Sequence, residues 1–295
     1  MDIIWDKIAR HITQATGSRF SVSEIQPQSG GSINDSYRVA DQGSQYFVKR
    51  NAKRFADMFA AEYEGLIEIA TSDTVRVPQP VCFGEAGDVS YIVLEFLPLT
   101  GRNRTRGMAA LAQNLAAMHR TTTARFGWHR NNTIGSTPQI NTPCDEWTQF
   151  WCQHRLGFQL DLLRRAGYAH AIDDSVEYLM SNIKLLFQNY RPTASLVHGD
   201  LWSGNYGLTE SVPVIFDPAV YYGDRETDLA MTELFGGFGE VFYGAYQEAY
   251  PLDEGYRIRK LLYNLYHIMN HVNLFGASYL GQAKGMAQKL ISEIK

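Results

Sequence analysis

The spacing of apolar residues changes once along the 295-residue chain, near residue 97. Ahead of that point short apolar runs alternate with turn residues. The runs at 21–26, 36–40, 45–49, 80–85 and 89–96 predict strands. Asp41-Gln42-Gly43-Ser44 supplies a hairpin turn between the second and third. Two helices interrupt the series. One covers residues 2–16, with Ile4, Ile8 and Ile12 at helical spacing and Gly17 as its stop. The other covers 55–70, with Phe55, Met58, Phe59, Glu62, Leu66 and Ile69 on or near one face. Beyond residue 97 the spacing is helical over about 104–120, 145–166, 173–190, 226–247 and 254–292, with a short β insert at 196–197 and 214–216. A strand-rich start and a helical remainder predict an α+β fold in two lobes, 1–97 and 98–295.

Charge narrows the partners. Lys and Arg number 27 against 31 Asp and Glu, a net charge of −4. No basic excess exists to neutralise nucleic-acid phosphates or to hold an anionic membrane. The aromatic content, 15 Phe, 17 Tyr and 5 Trp, supports a packed core and excludes a disordered chain. Cys82, Cys144 and Cys152 are odd in number and widely spaced, which predicts packing thiols rather than disulfides or a zinc site. Met1-Asp2-Ile3-Ile4-Trp5-Asp6-Lys7 has no apolar signal core, and no run approaches the ~18 apolar residues of a spanning helix. Cytoplasmic location is the expectation.

Four features carry possible chemistry. His198-Gly199-Asp200-Leu201-Trp202-Ser203-Gly204-Asn205 follows a short apolar strand, and Asp217 ends another twelve residues later. Phosphoryl transfer needs such a set: one carboxylate to take the acceptor's proton, and an amide oxygen with a second carboxylate to hold Mg²⁺ against phosphates. A His198/Asp200 metal hydrolase is the competing reading, but it lacks supporting histidines nearby. Ser29-Gly30-Gly31-Ser32 is a turn whose backbone could approach a phosphate, without the Gly-Lys-Ser/Thr of a P-loop. Lys49 ends an apolar strand. Pointing inward it needs Glu62 or Glu64 as counter-charge; pointing outward it is a solvated lysine. Asp224 to Asp228 read as a charged, capped helix start with a structural role.

The His198–Asn205 string and Asp217-Pro218-Ala219-Val220-Tyr221-Tyr222-Gly223-Asp224-Arg225-Glu226-Thr227-Asp228-Leu229-Ala230-Met231 resemble the fructosamine (ketosamine) kinase family. So do Gly30-Gly31-Ser32-Ile33-Asn34, Phe47-Val48-Lys49, Met58-Phe59 with Glu62, Leu94-Glu95-Phe96-Leu97-Pro98, and Ala112 through Met118-His119. The agreement runs in order from about residue 20 to 290. It implies a protein-kinase-like two-lobe fold, a small antiparallel β-rich N-lobe and a larger helical C-lobe, as in aminoglycoside phosphotransferases.

The resemblance also implies roles. Asp200 is the catalytic base on a sugar hydroxyl, and Asn205 and Asp217 ligate Mg²⁺. Lys49 contacts the ATP phosphates and pairs with Glu62. Gly30, Gly31 and Ser32 cover those phosphates, and the backbone of Glu95, Phe96 and Leu97 binds adenine. Trp202 either stacks on the sugar or packs in the lobe. The implied reaction is ATP-dependent phosphorylation of a ketosamine, free or on a protein lysine, at the sugar's third carbon, leading to deglycation. An aminoglycoside or amino alcohol as acceptor remains an alternative, as does a non-catalytic nucleotide-binding module. The latter is disfavoured by the joint presence of Lys49, Asp200, Asn205 and Asp217. The implied partners are small molecules, with a monomer or homodimer as the assembly. The span 218–225 is too short for a long activation loop.

Overall fold

The computed structural model describes residues 3–29, 33–100, 105–210 and 212–294. Two compact units form, Met1–Leu111 with Gly204–Pro218, and Ala112–Ser203 with Ala219–Lys295. These units differ from a single cut after residue 97, because hydrogen bonds tie part of the later chain to the earlier. Leu208 accepts the N–H of Thr100 at 2.8 Å, and Arg76 accepts that of Ile215 at 3.0 Å.

The first unit is built on a five-stranded antiparallel sheet in the order β1-β2-β3-β5-β4. The strands are β1 (Glu24–Gln28), β2 (Asp35–Ala40), β3 (Gln45–Ala52), β4 (Pro80–Ala86) and β5 (Val89–Glu95). The β2–β3 turn forms as expected: the Asp41 carboxylate accepts the N–H groups of Gly43 and Ser44. α1 (Ile3–Thr16) lays Trp5, Ile8 and Ile12 on one sheet face, against Val39, Val48, Tyr91 and Val93. It stops where Gly17 turns to φ +71°. α2 (Ala56–Thr71) buries Met58, Phe59, Leu66 and Ile69. The first unit also holds the hairpin of β9 (Tyr206–Thr209) and β10 (Val212–Ile215).

The second unit is mostly helical. It contains the second half of α3 (Thr105–Met118), and α4 (Trp147–Trp151), α5 (Phe158–Arg165), α6 (Asp173–Asn182), α7 (Glu226–Leu234), α8 (Glu240–Ala249), α9 (Tyr256–Phe275) and α10 (Leu280–Ile294). The expected single helices at 226–247 and 254–292 are each two. Gly236, Gly237 and Gly239 take positive φ between α7 and α8, and Gly276 (φ +86°) ends α9. The expected β insert is likewise two separate ladders. Its 196–197 piece lies in β8 (Ser195–Val197), which pairs with β11 (Tyr221–Gly223), while 214–215 belong to β10 in the other unit. A hairpin of β6 (Asn132–Ile134) and β7 (Thr137–Gln139) had no clear alternation to reveal it. Among the described residues no helix is long and apolar enough to cross a membrane.

Candidate active site

Strand alternation places Lys49. Val48 faces α1, so Lys49 faces the other way, in register with Ile92 on β5. The ammonium is buried, which settles the sequence alternative in favour of an inward lysine. It donates to Glu62 Oε1 at 2.6 Å and to the Asp217 carboxylate. Glu62, not Glu64, is thus its partner on α2. Burial pushes the Lys49 pKa down, but the charges of Asp217 and Glu62 outweigh it, and the net shift is upward. Burial raises the Glu62 carboxyl against the pull of Lys49.

Asp217 reaches Lys49 from the end of β10. Its backbone sits at φ +59° immediately before Pro218, a conformation disfavoured for a residue with a side chain. The segment is pinned on both sides of the strand end: Ile215 N–H to Arg76, and Phe216 N–H to the Asn205 carbonyl at 3.0 Å. Those bonds place Asn205 beside the residue preceding Asp217. Asn205 is buried, whereas the Asp217 side chain keeps 44% of its surface. One amide oxygen and one exposed carboxylate are hard donors, too few for an all-protein cage. That set fits Mg²⁺, which takes its remaining ligands from water and substrate phosphate.

The strand β5 leads into Glu95, Phe96 and Leu97. The Glu95 side chain accepts from Arg76 at 2.8 Å, and its N–H donates to the Gln79 carbonyl at 2.8 Å. Glu95 is therefore committed to its own unit, and Phe96 and Leu97 carry the chain onward. Gly30, Gly31 and Ser32 lie outside the described residues.

In the second unit, Asp200 rides on a loop held from below. Asp228 on α7 accepts the N–H of His198 at 2.7 Å and of Gly199 at 2.8 Å, and His119 Nε2–H at 3.1 Å. Burial would raise the Asp228 carboxyl, but these bonds and His119 win, and its pKa is lowered. Burial keeps His119 neutral, so Nδ1 accepts the Tyr246 hydroxyl at 2.8 Å. Asp228 is a loop anchor, not a helix cap, and its place at a carboxylate-rich helix start gives no local signal of that role. Asp224 does the capping, accepting Glu226 N–H at 3.0 Å together with the hydroxyls of Tyr190 and Tyr263.

Gly199 is required between His198 and Asp200. Its φ is +82°, and a Cβ there would lie 2.1 Å from the Ala219 carbonyl oxygen. The Ala219 N–H in turn donates to His198 at 2.8 Å. Beyond Asp200, Trp202 N–H donates back to the Asp200 carbonyl at 3.2 Å. Trp202 is 37% exposed, and its ring packs edge-on against Phe235.

The arrangement has parallels among known proteins. Residues 4–293 match the family model described as fructosamine kinase. A relative from Synechocystis named "Probable ketoamine kinase" is 48% identical over 97% of each chain. A chloroplastic protein-ribulosamine 3-kinase of Arabidopsis thaliana is 40% identical over 95% of this chain and 86% of its own. A solved structure from Haemophilus somnus 129PT, ascribed to the fructosamine-3-kinases, superposes with a TM-score of 0.90 at 26% identity, covering 98% of both chains. The aminoglycoside phosphotransferase APH(4)-Ia, solved with AMP-PNP and hygromycin B, shares the fold at TM-score 0.64 and 14% identity, over 97% of this chain and 98% of that one. The kinase-like fold expected from the motifs is the fold observed, and the chain belongs to the fructosamine kinase family.

Proposed function

We propose that the protein is an ATP-dependent ketosamine kinase that phosphorylates the third-carbon hydroxyl of the sugar and so leads to deglycation. The observation that carries this reading is the buried Lys49, held between Glu62 and the half-exposed Asp217, in a chain of this family. A buried lysine with two carboxylates is costly unless its charge is used. Here it serves the α- and β-phosphates of ATP.

In the reaction, Asp200 accepts the proton of the sugar hydroxyl. The hydroxyl oxygen forms a bond to the γ-phosphorus as the bond from that phosphorus to the β–γ bridging oxygen breaks, and ADP leaves with the electron pair. Asp228 orients the loop that carries Asp200. Asn205 and Asp217 would hold Mg²⁺, which when bound neutralises charge on the phosphate oxygens. Gly30, Gly31 and Ser32 cover the phosphates. The backbone of Glu95, Phe96 and Leu97 reads adenine; with Glu95 N–H already donated, Phe96 and Leu97 carry most of that contact. Trp202 offers its exposed face to the sugar ring. The three thiols are unpaired, in keeping with work in the cytoplasm.

The test is the product. Phosphorus-coupled carbon spectra of a reacted fructosyl-lysine should place the new phosphate on the third carbon, followed by release of the free amine. A phosphate on any other carbon, with a stable ketosamine linkage, would refute the proposal.

A further inference from the structure

The break in the C-terminal helical pair creates a feature that the reaction scheme does not use. Gly276 ends α9 in a positive-φ turn, its N–H returning to Val272 at 2.9 Å. The tight turn Ala277–Tyr279 that follows folds Tyr279 back onto His271, ring centroids 5.1 Å apart. His271 also meets Phe275 at 5.5 Å and Phe235 at 5.0 Å, and Phe235 meets Trp202 at 6.4 Å. The result is a continuous aromatic row within the second unit. It starts at Trp202, two residues beyond Asp200, and ends at Phe275, which is 54% exposed. Phe235 stands at the head of a Phe-Gly-Gly-Phe-Gly segment in which Gly236, Gly237 and Gly239 all take positive φ. A Cβ at Gly236 or Gly239 would meet nothing within 4 Å, so packing does not demand these glycines. Their positive φ, which a residue with a side chain rarely adopts, is what calls for glycine in the turn that carries Phe235.

His271 adds a polar function to the row. Its Nδ1–H donates to the His267 carbonyl at 2.7 Å, which fixes the tautomer and leaves Nε2 as a hydrogen-bond acceptor. Burial lowers the His271 pKa, so the ring is neutral at physiological pH.

We infer that the row Phe235, His271, Phe275 and Tyr279 is an acceptor subsite for the amine-bearing arm of the ketosamine, an alkyl chain such as that of a glycated lysine in a peptide. This rests on the ketosamine kinase reading above. Three chemical matches argue for that occupant. The row is continuous with Trp202, the proposed sugar platform, so the arm leaves the sugar directly along it. The nitrogen joining sugar and arm is a secondary amine, a cation when protonated, and aromatic faces attract cations. The arm beyond it is methylene, which suits exposed rings, and a peptide N–H or the ammonium can donate to His271 Nε2.

The experiment compares KM for two acceptors, a peptide carrying fructosyl-lysine and the short N-methyl ketosamine, in parent, Phe275→Ala and Phe275→Tyr proteins. Phe275 is exposed, so its loss leaves the fold intact. Phe275→Ala should raise the ratio of peptide KM to short-acceptor KM about tenfold through lost contact with the arm's methylenes, since both acceptors carry the amine, and Phe275→Tyr should restore the parent ratio. An unchanged ratio in Phe275→Ala, with both acceptors still turned over, would overturn the subsite and leave the kinase reading standing. Absence of parent turnover on both acceptors would overturn the kinase reading, and the subsite with it.

Discussion

The Lys49 ammonium lies 2.6 Å from Glu62 Oε1, and both side chains are nearly sealed from water. A pair of this kind is expensive to break from one side, because the remaining charge is left uncompensated. Glu62→Ala leaves Lys49 with the half-exposed Asp217 as its remaining counter-charge, so in denaturant unfolding it should destabilise the fold by less than the about 3–5 kcal/mol of a wholly uncompensated buried charge. Lys49→Met with Glu62→Gln, which removes both charges, should recover most of that loss while turnover stays abolished. A double variant as unstable as Glu62→Ala would contradict the pairing argument.

Asp217 occupies a left-handed backbone position, which asparagine tolerates and alanine does not. Asp217→Asn should keep the fold and weaken binding of Mg-ADP, measured by calorimetry. Asp217→Ala should add a backbone penalty of about 1–2 kcal/mol. Equal Mg-ADP affinity in parent and Asp217→Asn proteins would remove Asp217 from the metal-binding set.

The carboxylate of Asp228 anchors two backbone N–H groups of the loop that carries Asp200. Asp228→Asn loses at least one of these bonds to a charged acceptor and should cost about 1.5–3 kcal/mol of stability. It should also lower kcat with little change in nucleotide affinity. A fall in nucleotide affinity with kcat retained would place the role of Asp228 elsewhere.

Buried histidines set the acid response. Burial lowers His267 to about 3, and burial also lowers His119 below its ordinary value of 6.5. The unfolded chain takes up these protons near pH 6.5, whereas the folded chain takes up that of His267 only near pH 3 and that of His119 at a lowered pH. The contribution of His267 is fully present above pH 6.5 and is lost as pH falls toward 3, and that of His119 is lost in the same direction. Each contributes a slope of up to about 1.4 kcal/mol per pH unit in that window. Urea midpoints between pH 7 and 4 should fall less steeply for His267→Asn than for the parent. Parallel curves would show that His267 titrates alike in the folded and unfolded chain and would contradict the burial argument.

Much of this is legible in the sequence. Alternation fixed the N-terminal strands because one face of the sheet is buried against α1, and that periodicity is strong. Lys49 with its inward geometry could be narrowed but not decided, since the same string serves a solvated lysine. In the sequence the helices at 226–247 and 254–292 look unbroken, because glycine within a helical pattern signals a break only weakly. The hairpin contacts that join β9 and β10 to the first unit arise from hydrogen bonds across more than a hundred residues, such as Thr100 to Leu208. Local spacing carries no trace of these. Asp228 escaped for the same reason: its partners His119 and Gly199 are distant in the chain, and a helix start full of carboxylates looks like capping.

The central claim is that Asp200 transfers a proton from a ketosamine hydroxyl during ATP turnover. The most direct test follows ADP release with Mg-ATP and fructosyl-lysine, beside an aminoglycoside and choline, in parent and Asp200→Ala proteins. ADP release with the ketosamine alone, falling about 10²–10⁴-fold in kcat in the variant, is the predicted result. Equal turnover in the two proteins, or turnover with the aminoglycoside or choline in place of the ketosamine, would contradict it.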